Sequence, residues 1–300
     1  MLKKFNKVLD ELCYDYDEIL ERQKIKQEWV DQLREMSKIS KFVPKIIDDK
    51  QLAIFVNGCN GNTERSSKWI HMNYKLRSTS PEFFANRRFD APDVVDAFEN
   101  QCFAVFPSTP NNHFVFYHCL LNYRPRKFNF DNAVKVFMMM GEAMIAKEGP
   151  RDGAIFLYDL NGSSFSHVFR PSIHSIKKGI DYLQSANPIH IKSIHILNSF
   201  WIMELIFAII KPFVRKEFYD IIHLHPPGAS LDKIFETDVP KSHMPCDLGG
   251  DLPPKIEYHY KTKKLIENFT EYFEIDDENT VLKLDQFVDS EDYKYRDKYS

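Results

Sequence analysis

Glycine is scarce in this 300-residue chain: ten are present, about half the usual share of roughly 7%. Loops that cradle phosphates need several glycines close together so that backbone amides can approach an anion. The one adjacent pair is Gly249-Gly250, and Gly58-Cys-Asn-Gly61 is the next closest spacing. No G-x-G-x-x-G and no P-loop can be written, which excludes dinucleotide and P-loop enzymes. The five cysteines (Cys13, Cys59, Cys102, Cys119, Cys246) form no C-x-x-C pair, which argues against a disulfide framework and a cysteine zinc site. The longest nearly apolar run, Phe200 to Ile210, is broken by Glu204 and is too short to span a bilayer. Neither sign of charge dominates: 40 basic residues face 43 acidic ones, so the bulk basic footprint that nucleic acid demands is missing. Met1 to Leu20 alternates charged and apolar residues without the apolar stretch of a signal peptide. A reduced, cytoplasmic protein with no cofactor, no metal and no nucleic-acid partner is expected.

Phenylalanine, by contrast, occurs 25 times, which asks whether those rings are core or line something. The first ninety residues read as helical. Phe5, Val8, Leu9, Leu12 and Tyr16 recur at three- and four-residue spacing, and Trp29, Leu33 and Met36 form a second stripe that ends before Pro44. Asp48-Asp49 opens a short helix over Gln51 to Val56, and another covers Thr63 to Ser78. From residue 100 strands alternate with helices. Strands are expected at Phe114–Leu121, Ala154–Leu160, Ile191–Leu197 and Ile221–His225. Helices are expected at Asn132–Lys147, Ser172–Ser185 and Phe200–Phe213. That alternation implies βαβ units and a largely parallel sheet. After Pro254 the chain becomes charged and loses pattern, and Asp276-Asp277-Glu278 and Ser290 to Ser300 read as a solvated tail.

Three constellations invite chemistry. Asp159, Ser163 and His167 suggest a hydrolase, but no G-x-S-x-G turn surrounds Ser163, and local turn-fixing hydrogen bonds are the plainer reading. His223-x-His225 could put two imidazoles on one strand face, yet no acidic or cysteine partner lies at ligand spacing. In the helix Phe200–Phe213, Glu204 and Lys211 share a narrow polar stripe opposite Ile202, Ile206, Ile209 and Phe213. Such an arc suits either ordinary core or a lid with an apolar cavity beneath and a membrane outside.

A series of motifs then falls in order. Glu64-Arg65 with Lys68 and Tyr74, Arg77 and Pro81-Glu82-Phe83-Phe84 are followed by Gly153 to Gly162 and Phe165-Ser166-His167. Gln184, Pro188, Ile194-His195-Ile196, Asn198 and Lys211-Pro212-Phe213 follow, and Met244-Pro245 with Leu248 to Pro253 completes the set. From about Leu52 to Pro254 the chain resembles the CRAL-TRIO lipid-binding proteins, particularly α-tocopherol-transfer-like members and their insect relatives. The resemblance implies an α/β fold: a helical N-terminal domain (1–90), a CRAL-TRIO α/β/α domain (91–255) and a C-terminal helix with a charged tail (256–300). A mostly parallel mixed sheet would floor an apolar pocket, covered by a gate helix over about Asn198 to Ile221.

By matching position, Val136, Met140, Ala154, Phe156, Tyr158, Leu183, Ile189, Ile191, Ile194, Ile206 and Ile210 would face one hydrophobic ligand. Phe165, Phe169, Ile202 and Ile209 would dock on a membrane. Members generally do no chemistry on their cargo, so a non-enzymatic carrier of a tocopherol-, retinoid- or terpenoid-like lipid is expected. Where tocopherol carriers grip a phosphoinositide headgroup, this chain has Cys59, His190, Lys192, Glu217 and Ile221. Only a weak phosphoinositide contact through Lys192 and Lys211 is expected there. Val136 and Met140 are bulkier and less polar than the hydroxyl residues of tocopherol carriers, which points to a slimmer or less polar ligand. The alternatives are a phosphatidylinositol or phospholipid exchanger that regulates a lipid enzyme and, more remotely, a lipid hydrolase.

Overall fold

The computed structural model describes Val8 and residues 14–44 and 47–281. Phe5, Leu9 and Leu12 of the first stripe and the segment Ser290 to Ser300 lie outside them. Helices α1 (Tyr16–Arg22), α2 (Gln27–Ser37), α3 (Asp49–Gly58) and α4 (Thr63–Thr79) open the chain. Their starts follow from short polar side chains that satisfy the orphan amides of a first turn. Asp15, Asp48 and Asn62 accept from the N–H of Glu18, Lys50 and Arg65. Val30, Leu33, Leu52, Val56 and Ile70 pack these helices into a core of their own.

Short α5 (Pro81–Phe84) and α6 (Pro92–Asn100) lead into β1 (Gln101–Phe106) and β2 (His113–Leu120). Then come α7 (Phe130–Glu148), β3 (Gly153–Asp159), α8 (Phe165–Val168), α9 (Ile173–Ser185) and β4 (Ile191–Leu197). Next are α10 (Ile202–Ile210), α11 (Lys216–Tyr219), β5 (Ile222–Leu224) and α12 (Asp232–Thr237). The five strands lie in the order β1-β2-β3-β4-β5. Only β1–β2 is antiparallel; the other three pairs are parallel. The sheet is covered on both faces, which is why β3 is apolar from Ala154 to Tyr158. Phe103, Phe116 and Phe156 pack toward α7, whereas Tyr117, Ile155 and Leu157 meet Ile234, Val239 and Met244. The double glycine closes the turn behind that second layer: a Cβ on Gly250 would sit 1.9 Å from the carbonyl oxygen of Met244.

The C-terminal segment holds helix, as the resemblance implied, but keeps more pattern than its charge suggested. Pattern does not end at Pro254: α13 (Lys255–Asn268) and α14 (Thr270–Val281) follow. Helix α13 lies along β1 and covers its open edge. His259 Nδ1 accepts the Phe103 N–H at 3.2 Å, and Thr262 Oγ1 accepts the Val105 N–H at 3.1 Å, so the edge amides are not left as a template for pairing.

Asp276 and Asp277, read as solvated, instead close a buried ionic junction. Arg77 Nη1 and Arg87 Nη2 reach Asp276 Oδ2 at 2.7 and 2.5 Å. Arg87 Nε meets Asp277 Oδ1 at 2.6 Å. Glu142 receives Arg77 Nη2 and Arg87 Nη1, both at 2.7 Å. Arg87 is 1% exposed. Burial alone would raise the Asp276 pKa, but the two guanidinium charges outweigh it and hold the carboxyl below its ordinary value. The junction ties α4, α7 and α14 together.

Candidate functional site: a roofed apolar cavity

A cavity of about 420 Å³ lies between the sheet, α7, α9 and α10. Its floor is Phe116, Phe156, Tyr158 and Ile196, one side is α7 through Phe137, Met138 and Gly141, and the roof is Met203, Ile206, Ile209 and Ile210. Aromatic contacts stiffen the floor: Phe137 stacks on Tyr158 with centroids 5.5 Å apart and meets Phe156 edge-on at 5.3 Å.

Of the eleven residues expected to face a ligand, Phe156, Tyr158, Leu183, Ile189, Ile206 and Ile210 line this cavity. The other five do not. Val136 and Met140 are fully buried in the core between α7 and the sheet. Successive helix residues diverge by about 100°, so α7 turns Val134, Phe137, Met138 and Gly141 to the cavity instead. Ala154 and Ile191 pair at the N-terminal ends of β3 and β4, and Ile194, level with Phe156, is packed in the same core rather than on the wall. The wall extends along Tyr158 and Ile196 toward the carboxyl ends of β3 and β4, the end at which open α/β sheets bind their ligands.

The expected outer surface also rearranges. Phe165 and Phe169 are 52% and 57% exposed. Ile202 is 1% exposed and so presents nothing outward, and Ile209 belongs to the cavity roof. The sequence reading passed over Trp201, which is 60% exposed and lies 6.2 Å from the Phe165 ring. Its signal was the Phe200-Trp201 pair just ahead of the apolar helix. Lys192 and Lys211 are exposed, and neither is on the cavity wall.

The roof is tethered at both ends. Asn198 Nδ2 donates to Asp159 Oδ1 at 2.7 Å, from a left-handed backbone at φ 52°. Beyond α10, Gln184 Nε2 donates to the Phe213 carbonyl at 3.0 Å, and Gln184 Oε1 accepts the Arg215 N–H at 2.7 Å.

Asp159, Ser163 and His167 all touch the cavity, yet they form no catalytic relay. Asp159 accepts from the Tyr117 hydroxyl, the Asn161 N–H and Asn198 Nδ2. His167 Nδ1 is engaged by Ser164, through its N–H at 3.1 Å and its hydroxyl at 2.8 Å. Burial lowers the His167 pKa, and it pushes that of His118, another wall residue, down to about 4. His223 and His225 stand beside His195, whose Nδ1 is 3.0 Å from His225 Nε2. Among the described residues no group of three or more His, Cys, Asp or Glu side chains is placed to hold a metal, and no helix is long and apolar enough to cross a membrane.

A mostly parallel sheet flooring an apolar cavity under an amphipathic roof helix defines an α/β lipophile-binding architecture. The family model for the CRAL/TRIO domain matches residues 98–250, and a second, for the Pinta-like UBA domain, matches residues 22–94. The chain belongs to the CRAL/TRIO family of lipid-binding and transfer proteins. It is 29% identical over 234 residues to the alpha-tocopherol transfer protein-like protein of Mus musculus, covering 75% of this chain. Clavesin-1 of Xenopus laevis is 22% identical over 213 residues, covering 69% of this chain and 62% of its own length. The chain spans 66% of the length of the mouse relative. The crystal structure of Sfh5 shares the fold with a TM-score of 0.50 at 13% identity, over 82% of this chain and 92% of that one.

Proposed function

We propose that this protein is a cytoplasmic carrier that takes one small, uncharged lipophile into the roofed cavity and transfers it between membranes. The observation that carries this reading is the cavity itself. Its volume of about 420 Å³ is within the range of small-molecule sites, roughly 300–1,000 Å³. Removing about 300 Å² of apolar ligand surface from water gains about 7 kcal/mol before ordering costs. The exposed aromatic group Phe165, Phe169 and Trp201 sits beside the roof helix, where insertion into a lipid interface would couple opening to delivery. The relative named for alpha-tocopherol transfer supports the same class of cargo.

Phospholipid exchange is the weaker reading. Among the described residues no lysine or arginine lines the cavity, so a phosphate headgroup drawn inside would find no wall cation to pair with. Native mass spectrometry after gentle purification tests the proposal. A co-purifying neutral lipophile is the expected outcome. If nothing co-purifies and a panel of retinoids, terpenoids, sterols, tocopherols and phospholipids fails to bind, the carrier reading is wrong.

A further inference from the structure

Among the described residues two buried side-chain atoms of the cavity wall lack a hydrogen bond, Glu142 Oε1 and His167 Nε2. Glu142 is nonetheless ion-paired with Arg77 and Arg87. Asp159 takes three donors, and His118 Nε2 pairs with Gln101 Oε1 at 2.9 Å. His167 is different. The residue lines the cavity and is 6% exposed, but its Nε2 is shut off from water with no hydrogen-bond partner.

The local structure fixes which proton that nitrogen carries. The backbone N–H of Ser164 donates to His167 Nδ1, so Nδ1 must present its lone pair. In the neutral ring the proton is then on Nε2. The Ser164 cap of α8 and the edge-on Phe128 ring, 5.8 Å away, hold the imidazole in place. Leaving a buried donor unpaired destabilises the empty site. A site that keeps one discriminates strongly in favour of a partner that satisfies it.

We propose that His167 Nε2–H is the specificity donor of this cavity, and that its cargo is a lipophile carrying a hydrogen-bond acceptor oxygen (a ketone, aldehyde, ester, quinone or ether) rather than a pure hydrocarbon. This rests on the carrier reading and sharpens it. The oxygen end of the cargo is placed at the α8 end of the cavity, and its hydrocarbon remainder lies over Phe137, Phe156 and Tyr158.

The test uses two matched pairs of probes: the isoprenoid ketone phytone against pristane, and cholestanone against cholestane. Displacement of Nile red from the full-length protein reads their affinities. In the wild-type protein the ketone of at least one pair is expected to bind about tenfold tighter than its hydrocarbon. His167→Asn retains an acceptor near the Nδ1 position for the Ser164 cap but lacks the Nε2 donor. It should erase the preference by lowering ketone affinity to that of the paired hydrocarbon, read as the ratio within each pair because Nile red itself carries a carbonyl acceptor. His167→Gln, which returns a donor near the Nε2 position, should restore part of it. Equal binding of ketone and hydrocarbon to the wild type, or a preference that survives in His167→Asn, overturns the assignment. If neither the dye nor any probe enters the cavity, the carrier reading falls and takes this inference with it.

Discussion

The two sides of helix α7 treat buried titratable groups in opposite ways. At the ionic junction burial is outweighed by opposing charge: Asp276 is held ionised by Arg77 and Arg87 although it is 5% exposed. In the cavity burial is barely opposed, so His118 drops to about 4 with Asp159 only partly countering it. Burial also raises the Tyr158 phenol. One side is built to keep charge and the other to exclude it. The difference explains how the cavity can be dry on one wall while Glu142, on that same wall, remains compensated from behind. It also separates a fixed wall from a movable one, because the junction is tied by five ion pairs among Arg77, Arg87, Glu142, Asp276 and Asp277. The roof is held largely by apolar contact and a few hydrogen bonds at its ends.

The sharpest way to break that contrast is to remove one charge from the junction. Asp276→Ala leaves two buried guanidinium groups under-compensated and should destabilise the fold by about 3–5 kcal/mol in urea denaturation. A loss below about 1 kcal/mol would mean that the junction is hydrated and that the contrast is false. The next largest effect is acid sensitivity from the cavity side. The folded-state pKa of His118 lies below the ordinary 6.5, so its contribution is complete above pH 6.5 and is lost as pH falls toward 4. Below pH 6.5 the unfolded chain binds a proton that the folded chain refuses, and a shift of this size is worth on the order of 3 kcal/mol. Asp276, with its pKa depressed, loses its contribution only in the range below the ordinary carboxylate value. Stability measured from pH 7 to 4 should therefore decline in the wild type and decline less in His118→Gln. Equal slopes would remove His118 as the cause.

How much of this was legible in sequence depended on whether a residue's partner was local. The strand Ala154–Leu160 was readable because a continuous apolar run marks a doubly covered strand, and Ile191–Leu197 from Ile191, Ile194, Ile196 and Leu197; their observed limits are Gly153–Asp159 and Ile191–Leu197. Strand β1 was not, since it follows α6 directly at Gln101 with no glycine or proline to mark the break. Helix α13 hid its inward stripe by building it partly from His259 and Thr262, which serve the amides of β1 and so read as polar. Asp276 could not be told from a solvated acid, because its arginines lie 199 and 189 residues away. In the cavity, the expected residues lie on elements that line it, but Val136 and Met140 of α7 face the core. On α7 one residue separates Val136 in the core from Phe137 on the wall, and family position alone did not resolve that rotation.

The smallest expected effect concerns the movable wall. Gln184 is 7% exposed, and its side chain both donates to and accepts from the segment after α10, through the Phe213 carbonyl and the Arg215 N–H. Arg215 also donates to the Gln184 carbonyl, a contact that survives truncation of the Gln184 side chain. Gln184→Ala should therefore loosen this end without freeing it, while the Asn198–Asp159 tether at the other end stays intact. Losing two hydrogen bonds, each worth about 1 kcal/mol net, should populate open forms more often. Nile red should then exchange several-fold faster, and its equilibrium affinity should fall by a similar factor or less. Denaturation midpoints should move far less than in Asp276→Ala, because the roof contributes little to the junction. If dye exchange is unchanged while stability falls by several kcal/mol, Gln184 belongs to the fixed framework, and the boundary between the two regions must be drawn on the far side of α9.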